Sequence, residues 1–280
     1  MPNSPNANQP LRERILNELI DYCEYYNVPF EHCVDTMHTL KVVPMIRGIG
    51  FEYVAFERLK GILPSDVWRV EKPTVNAQSA IQDIDVLVTH IPTDKKITIE
   101  CKLAGKNSFR IPRLGVGMVK IKCMRSRTVG EEAARTLARR YGVSVDTVMR
   151  HRDNYRDVDF NFVITSIGNA FWRTTNEGKY VFRLKPEETE FLHRLFEDGT
   201  LSVEQLRKKT FEYLLIAKSS ALTVSPQNHV RCVRRRCIEA GTSTNCGFTP
   251  NYPIVNLDDV EVWRPIEQTA EVFQNFVDEQ

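Results

Sequence analysis

The 280-residue sequence lacks a surplus of either charge, since 38 Lys and Arg stand against 36 Asp and Glu for a formal net charge of +2. It also lacks any apolar run near the roughly 20 residues that span a bilayer. Its opening stretch, Met1–Pro10, has neither the basic region nor the apolar core of a secretion signal. These absences argue against a membrane protein, and a cytoplasmic location is expected. Seven cysteines, an odd number scattered along the chain, supply no framework of paired bridges. No phosphate-binding G-x-x-x-x-G-K-[ST] loop occurs: Gly105-Lys106 is followed by Asn107 and has no upstream glycine. A nucleotide cofactor or an ATP-driven motor is therefore not expected. There is no internal repeat and, beyond the polar N-terminal tail, no low-complexity segment. What remains, at 42% hydrophobic and 26% charged residues, is the composition of a globular chain able to bury a substantial core.

The near-zero net charge hides a strong asymmetry. Between Gly105 and Arg156 there are 13 Lys and Arg against four acids, a local charge of +9, so the rest of the chain carries −7. A second basic knot comprises Arg231, Arg234, Arg235 and Arg236, and residues 256–280 hold seven carboxylates against Arg264 alone. Such a distribution suits a polyanion-binding face on a balanced protein; solvated helix faces are the plainer alternative.

The periodicity predicts a mixed α/β fold. After a tail expected to be disordered over residues 1–10, Leu11, Ile15, Leu16, Leu19, Ile20 and Cys23 give Leu11–Tyr26 a helical stripe, expected to pack on the core. Gly48 and Gly50 precede a second helix, Phe51–Leu63, with Glu52 at its start. Strands are expected over Val67–Glu71, Ile81–His90 and Lys96–Leu103, the last two joined by a turn at Pro92–Lys95. Helices at Glu131–Tyr141 and Val145–Arg152 lead to a strand within Phe160–Ile167. This order implies a mixed central sheet flanked by helices, with a crossover closing a parallel strand pair. Residues 11–180 form the expected core and 181–280 an extension that completes it and contributes to DNA binding or dimerisation. In the extension the pattern predicts strand Tyr180–Leu184, helices Pro186–Phe196 and Ser202–Lys209, and strand Phe211–Ala217.

Alternation on Lys96–Leu103 puts Ile97, Ile99, Cys101 and Leu103 on one face and Thr98, Glu100 and Lys102 on the other. The preceding strand carries Asp83 and Asp85 amid Ile84, Val86, Leu87 and Val88. Carboxylates in apolar strand are costly unless paired or metal-bound. Two from neighbouring strands, with an ammonium beside one, make a hard-oxygen site suited to Mg2+. Taken singly, a Glu-x-Lys pair on an exposed strand or an edge-strand aspartate is an ordinary structural feature.

Their order resembles the PD-(D/E)XK nuclease superfamily: a glycine-rich approach to Glu52, then Asp85 before three apolar residues, then Glu100-Cys101-Lys102 preceded by apolar residues. The resemblance spans about residues 48–167. Gln82, Asp83 and Ile84 stand where the name-giving pattern has proline, which leaves open whether Asp83 or Asp85 is the ligand; Asp85 is preferred. The resemblance implies a restriction endonuclease-like core in which Asp85 and Glu100 hold Mg2+, with the Cys101 carbonyl contributing. Lys102 would position the attacking water, and Glu52 would support a second metal or water. The implied activity is that of a type II restriction endonuclease cutting double-stranded DNA at a short sequence, working as a homodimer. A repair nuclease or junction resolvase shares the chemistry.

The run Ala134-x-x-Leu137-Ala138-x-x-x-Gly142-Val143-Ser144-x-x-Thr147-Val148-x-Arg150, within residues 131–152, resembles a helix-turn-helix. Gly142 allows the left-handed turn and Ser144 caps the second helix. This segment is either a DNA reader or only the crossover of the core, and a non-catalytic DNA-binding regulator is the rival function. Arg150, His151 and Arg152 are candidate base readers. Arg231, Arg234, Arg235 and Arg236, with Lys106 and Arg110, are candidate contacts to DNA. His229, Cys232, Cys237 and Cys246 have a loosely zinc-like spacing, although free thiols in a basic loop are the simpler expectation.

Overall fold

The computed structural model describes residues 10–73, 84–112, 116–125, 127–258 and 261–279. The expected tail up to residue 9, the start of the expected strand Ile81–His90 and Asp83 itself lie outside the described residues.

In chain order the elements are α1 (Leu11–Tyr25), α2 (Cys33–Met37), α3 (Val42–Ile62), β1 (Trp68–Glu71), β2 (Val86–His90), β3 (Lys95–Leu103), β4 (Met118–Lys120), α4 (Glu131–Tyr141), α5 (Val145–Arg150), β5 (Phe162–Ser166), β6 (Trp172–Thr174), β7 (Tyr180–Phe182), α6 (Pro186–Leu195), α7 (Val203–Glu212), β8 (Leu214–Lys218), α8 (Arg235–Glu239), β9 (Ile254–Asn256), β10 (Arg264–Pro265) and α9 (Thr269–Asp278). The expected α/β architecture is present. A six-stranded central sheet runs β1-β2-β3-β5-β8-β10, and the β3–β5 pair is parallel while its other neighbours are antiparallel. Residues 104–161, which contain α4 and α5, make the connection between the parallel strands. The pairs β4–β9 and β6–β7 form two small antiparallel sheets.

Two apolar layers sandwich the central sheet. On one face Phe51, Ala55 and Leu59 of α3 and Phe273 and Val277 of α9 meet Val86, Val88, Ile97, Ile99, Cys101, Phe162 and Ile164. On the other, Phe171, Phe191, Leu192 and Leu206 cover Val163, Leu215 and Ala217. Full burial of each large apolar side chain contributes roughly 1.5–3 kcal/mol, so these layers fix how α3 lies on β2 and β3. Alternation on β3 follows the predicted faces: Ile97, Ile99 and Cys101 point into the α3 layer.

Two helices differ from expectation. α3 starts at Val42, nine residues before Phe51, and runs through Gly48 and Gly50. Its proline, Pro44, sits in the first turn, where a missing N–H forfeits no helical hydrogen bond. The α1 stripe does not pack on the core: Leu11, Ile15 and Leu16 are exposed and Cys23 is the helix's buried residue. Helical spacing marks an apolar face without saying what covers it.

Candidate active site and metal cluster

The packing of α3 on the sheet brings three carboxylates together. Glu52 follows the fully buried Phe51, so its place on the helix is set by the core. Asp85 immediately precedes β2, and Glu100 and Lys102 lie two residues apart on β3, where the register pairs Val86 with Ile99. Asp85 and Glu100 are only 7% and 4% exposed. The Cys101 backbone N–H donates to Asp85 Oδ2 at 2.7 Å. Glu100 Oε1 accepts from Tyr155 Oη at 2.9 Å and forms an ion pair with Lys102 Nζ. Lys72, just beyond β1, donates to Glu52 Oε2 at 2.6 Å and to the Asp85 carbonyl at 3.4 Å.

The electrostatics are those of a site with too much buried negative charge. Burial, then the neighbouring Glu100, pushes the Asp85 carboxyl up to about 8, with Glu52 adding to the rise; Lys102 and the Cys101 N–H only partly offset it. Burial opposes the Lys102 charge, yet Glu100, Tyr155 and Asp85 together hold its ammonium well above the ordinary lysine range. Lys72 is raised against the same opposition by Glu52 and Asp85. Burial and the adjacent carboxylates push the Cys101 thiol well up, so it is a neutral core group. Converging oxygen ligands that repel one another in the absence of a cation are what a hard divalent ion stabilises, and the donor set fits Mg2+.

Sequence alone did not single out Lys72 or Tyr155. Lys72 reaches Glu52 because β1 pairs with β2, and Tyr155 lies in an irregular stretch between α5 and β5. Neither position carries a local pattern.

The helix-turn-helix-like segment is a hairpin of α4 and α5. Gly142 caps α4 with φ of 63°, and Ser144 Oγ accepts from the Thr147 N–H at 3.2 Å. Ala134, Leu137, Ala138 and Val148 form a small core of their own, distinct from both sheet layers. The second helix is shorter than expected, ending at Arg150 with His151 as its cap.

His151 is 2% exposed, which corrects its expected role as a base reader: a side chain enclosed in protein has no access to a groove. Arg152, Arg231 and Arg236 are exposed, while Arg235 is exposed and paired with Glu239 at 2.7 Å. Arg234 instead bonds to Asp153, to the Arg150 carbonyl at 3.2 Å and to Asn251 Oδ1 at 3.2 Å, so it ties the basic knot to the residues after α5. Arg150 is half-buried, with Nε 3.2 Å from Asp146. Lys106 and Arg110 are exposed, Lys106 reaching Thr174 and Arg110 its neighbouring backbone carbonyls. Not all of the +9 segment is open to a polyanion, because the buried Arg125 bonds Asp159 at 2.7 Å.

The expected zinc set is corrected in one member. His151, Cys232, Cys237 and Cys246 form a group able to hold a metal ion, their ligand atoms all within 4.8 Å of one another. His229 is exposed and outside that group. Spacing along the chain cannot reveal a ligand 81 residues upstream of Cys232.

Comparison of the chain with protein-family models, with curated proteins and with solved structures finds no match. Among the described residues, no helix is long and apolar enough to cross a membrane.

Proposed function

We propose that the chain is a Mg2+-dependent endonuclease that hydrolyses phosphodiester bonds of double-stranded DNA at a short specific sequence, in the manner of a type II restriction enzyme. The observation that carries this reading is the convergence of Asp85, Glu100 and Lys102, with Glu52 alongside, where burial and mutual repulsion push the Asp85 carboxyl up to about 8. Lone structural ion pairs need no third and fourth charge.

Among the described residues, Asp85 Oδ2 is taken by the Cys101 N–H and Glu100 Oε1 by Lys102 and Tyr155, which leaves Asp85 Oδ1 and Glu100 Oε2 for a cation. Bound Mg2+ supplies Lewis acidity toward the phosphoryl oxygens and lowers the pKa of a water. Lys102 orients the attacking water and offsets charge developing on the phosphate. Tyr155 and the Cys101 N–H hold the two carboxylates in place, and Lys72 holds Glu52 toward the same end of the sheet. Binding of DNA rests on the exposed cations of the +9 segment, including Arg152, and on Arg231, Arg235 and Arg236. Cutting both strands calls for a two-fold homodimer.

The test is digestion of mixed-sequence duplex DNA with Mg2+, followed by sequencing of the fragment ends. Discrete 5′-phosphate ends sharing a short motif are expected, with loss of cutting in Asp85→Ala and Lys102→Ala. Equal cutting by these variants would sink the active-site assignment. Sequence-specific binding without cleavage would identify a DNA-binding regulator built on the α4–α5 hairpin, and preference for junctions or lesions a repair nuclease or resolvase.

A further inference from the structure

The strongest feature outside the acidic site is the group His151, Cys232, Cys237 and Cys246, which brings the end of α5 against a segment about eighty residues later in the chain. Cys232 and Cys237 are buried and Cys246 is half-buried. Cys237 Sγ and Cys232 Sγ lie 3.0 and 4.0 Å from His151 Nε2. These distances bracket the roughly 3.5 Å that separates nitrogen and sulfur ligands around a tetrahedral zinc, given Zn–N of about 2.0 Å and Zn–S of about 2.3 Å.

The histidine is prepared as a ligand. Its Nδ1 stands 3.0 Å from the Thr147 carbonyl, which accepts only if Nδ1 carries the proton; Nε2, facing the sulfurs, then presents its lone pair. The ring stacks on Phe248, with centroids 4.2 Å apart and planes within 5°, which fixes its orientation. Backbone bonds hold the cysteine loop: Cys232 N–H to Ser243 at 2.7 Å, Cys237 N–H to Arg234 at 2.9 Å and Thr242 N–H to Cys237 at 2.9 Å. Three thiolates and a neutral histidine around Zn2+ carry a net charge of −1, which nearby Arg150 and Arg234 favour.

We propose that His151, Cys232, Cys237 and Cys246 bind one Zn2+ in a closed four-coordinate structural site that clamps the α4–α5 hairpin to the segment carrying Arg231 and, on α8, Arg235 and Arg236. The soft sulfur ligands and the absence of an open position distinguish it from the oxygen-rich Mg2+ site, and it holds whether or not the chain is a nuclease. The ion joins the two basic segments that the sequence separates, so it would set the spacing of their cations as one surface.

The experiment is elemental analysis of protein purified without chelator, with a metallochromic dye following release by a mercurial thiol reagent. About one zinc per chain is expected, retained in His229→Ala and lost in Cys237→Ser. Cobalt substituted into the stripped protein should give the visible absorption of a tetrahedral thiolate site. Because Cys237→Ser could fail to fold, hydrogen exchange on wild-type protein before and after stripping supplies a second readout. Residues 142–156 and 229–247 should lose protection together, and Zn2+ but not Mg2+ should restore it. Zinc-free protein that takes up neither zinc nor cobalt would overturn the proposal, as would loss of zinc in His229→Ala or a disulfide among the three cysteines in protein purified under reducing conditions.

Discussion

At the scale of single residues, the Asp85 carboxylate separates stability from function. Replacement by Asn keeps a side-chain acceptor near the Cys101 N–H, now at 2.7 Å from Asp85 Oδ2, and removes the repulsion with Glu100 and Glu52. Asp85→Asn should therefore raise the melting temperature of metal-free protein while lowering cleavage by at least about 10²-fold, beyond the loss expected for a group that merely orients a ligand. A carboxylate with a purely structural role would lose stability in the same substitution. The pH dependence follows with a definite sign. Asp85 titrates near 3.9 unfolded and at about 8 folded, so between these values the native state binds the extra proton. Its contribution to stability is fully present below about pH 4 and is lost as pH rises through about 8. Thermal melts of metal-free wild type should fall between pH 5.5 and pH 9 by more than those of Asp85→Asn. Mg2+ requires the ionised carboxylate, so its affinity in calorimetry should climb over the same interval with proton release. An equal pH response in both proteins would remove Asp85 as the titrating group.

At the scale of elements, the α4–α5 hairpin is a unit because Ala134, Leu137, Ala138 and Val148 pack with one another apart from the sheet layers. Leu137→Ala should cost the hairpin about 2–5 kcal/mol. Amide exchange would report this as lost protection over residues 131–150 while β2, β3 and β5 stay protected; uniform destabilisation would mean that the hairpin core is continuous with the sheet. If the exposed Arg152 meets a phosphate, Arg152→Ala should reduce the slope of log binding constant against log salt by about one, with similar loss on all sequences. A change confined to one base position would make it a base contact instead. The hairpin was legible in sequence because its turn glycine, its capping serine and its apolar spacing are local signals, and β3 was legible because its alternation is long. Glu52, Asp85, Glu100 and Lys102 could be named from their order along the chain, on α3, just before β2 and on β3. The rest depended on contacts no window contains. β4, β9 and β10 have only two or three residues each, too few for a period, and exist through pairing with distant partners. Tyr155 and Lys72 act through side chains reaching across the fold, and His151 joins cysteines from far along the chain.

At the scale of the whole molecule, the N-terminal region raises the question of what it packs against. Of the 23 large hydrophobic residues exposed in the described structure, 14 fall between Leu11 and Tyr53, among them Leu16, Tyr25, Phe30, Ile46 and Ile49. A concentration of that kind marks an interaction face rather than the scatter normal for a surface. The face is built from α1, α2 and the first half of α3, and the same α3 carries Glu52, so whatever binds there is rigidly connected to the acidic site. For an enzyme that cuts both strands of a symmetric site, a second copy in a two-fold arrangement satisfies both facts, because one isologous contact covers the apolar face and supplies the second active site. The cations of the α4–α5 hairpin and the basic knot fall outside α1, α2 and α3, within residues 131–152 and 231–236. Sedimentation at micromolar concentration should accordingly find a dimer, and Ile46→Glu combined with Leu16→Glu should yield a folded monomer. Both substitutions fall on exposed positions, so they alter the surface and not the core. The monomer should retain Mg2+ binding while losing double-strand cleavage. A wild-type monomer at these concentrations, or a variant that stays dimeric, would mean that this face serves some other contact and that the two strands are cut in separate events.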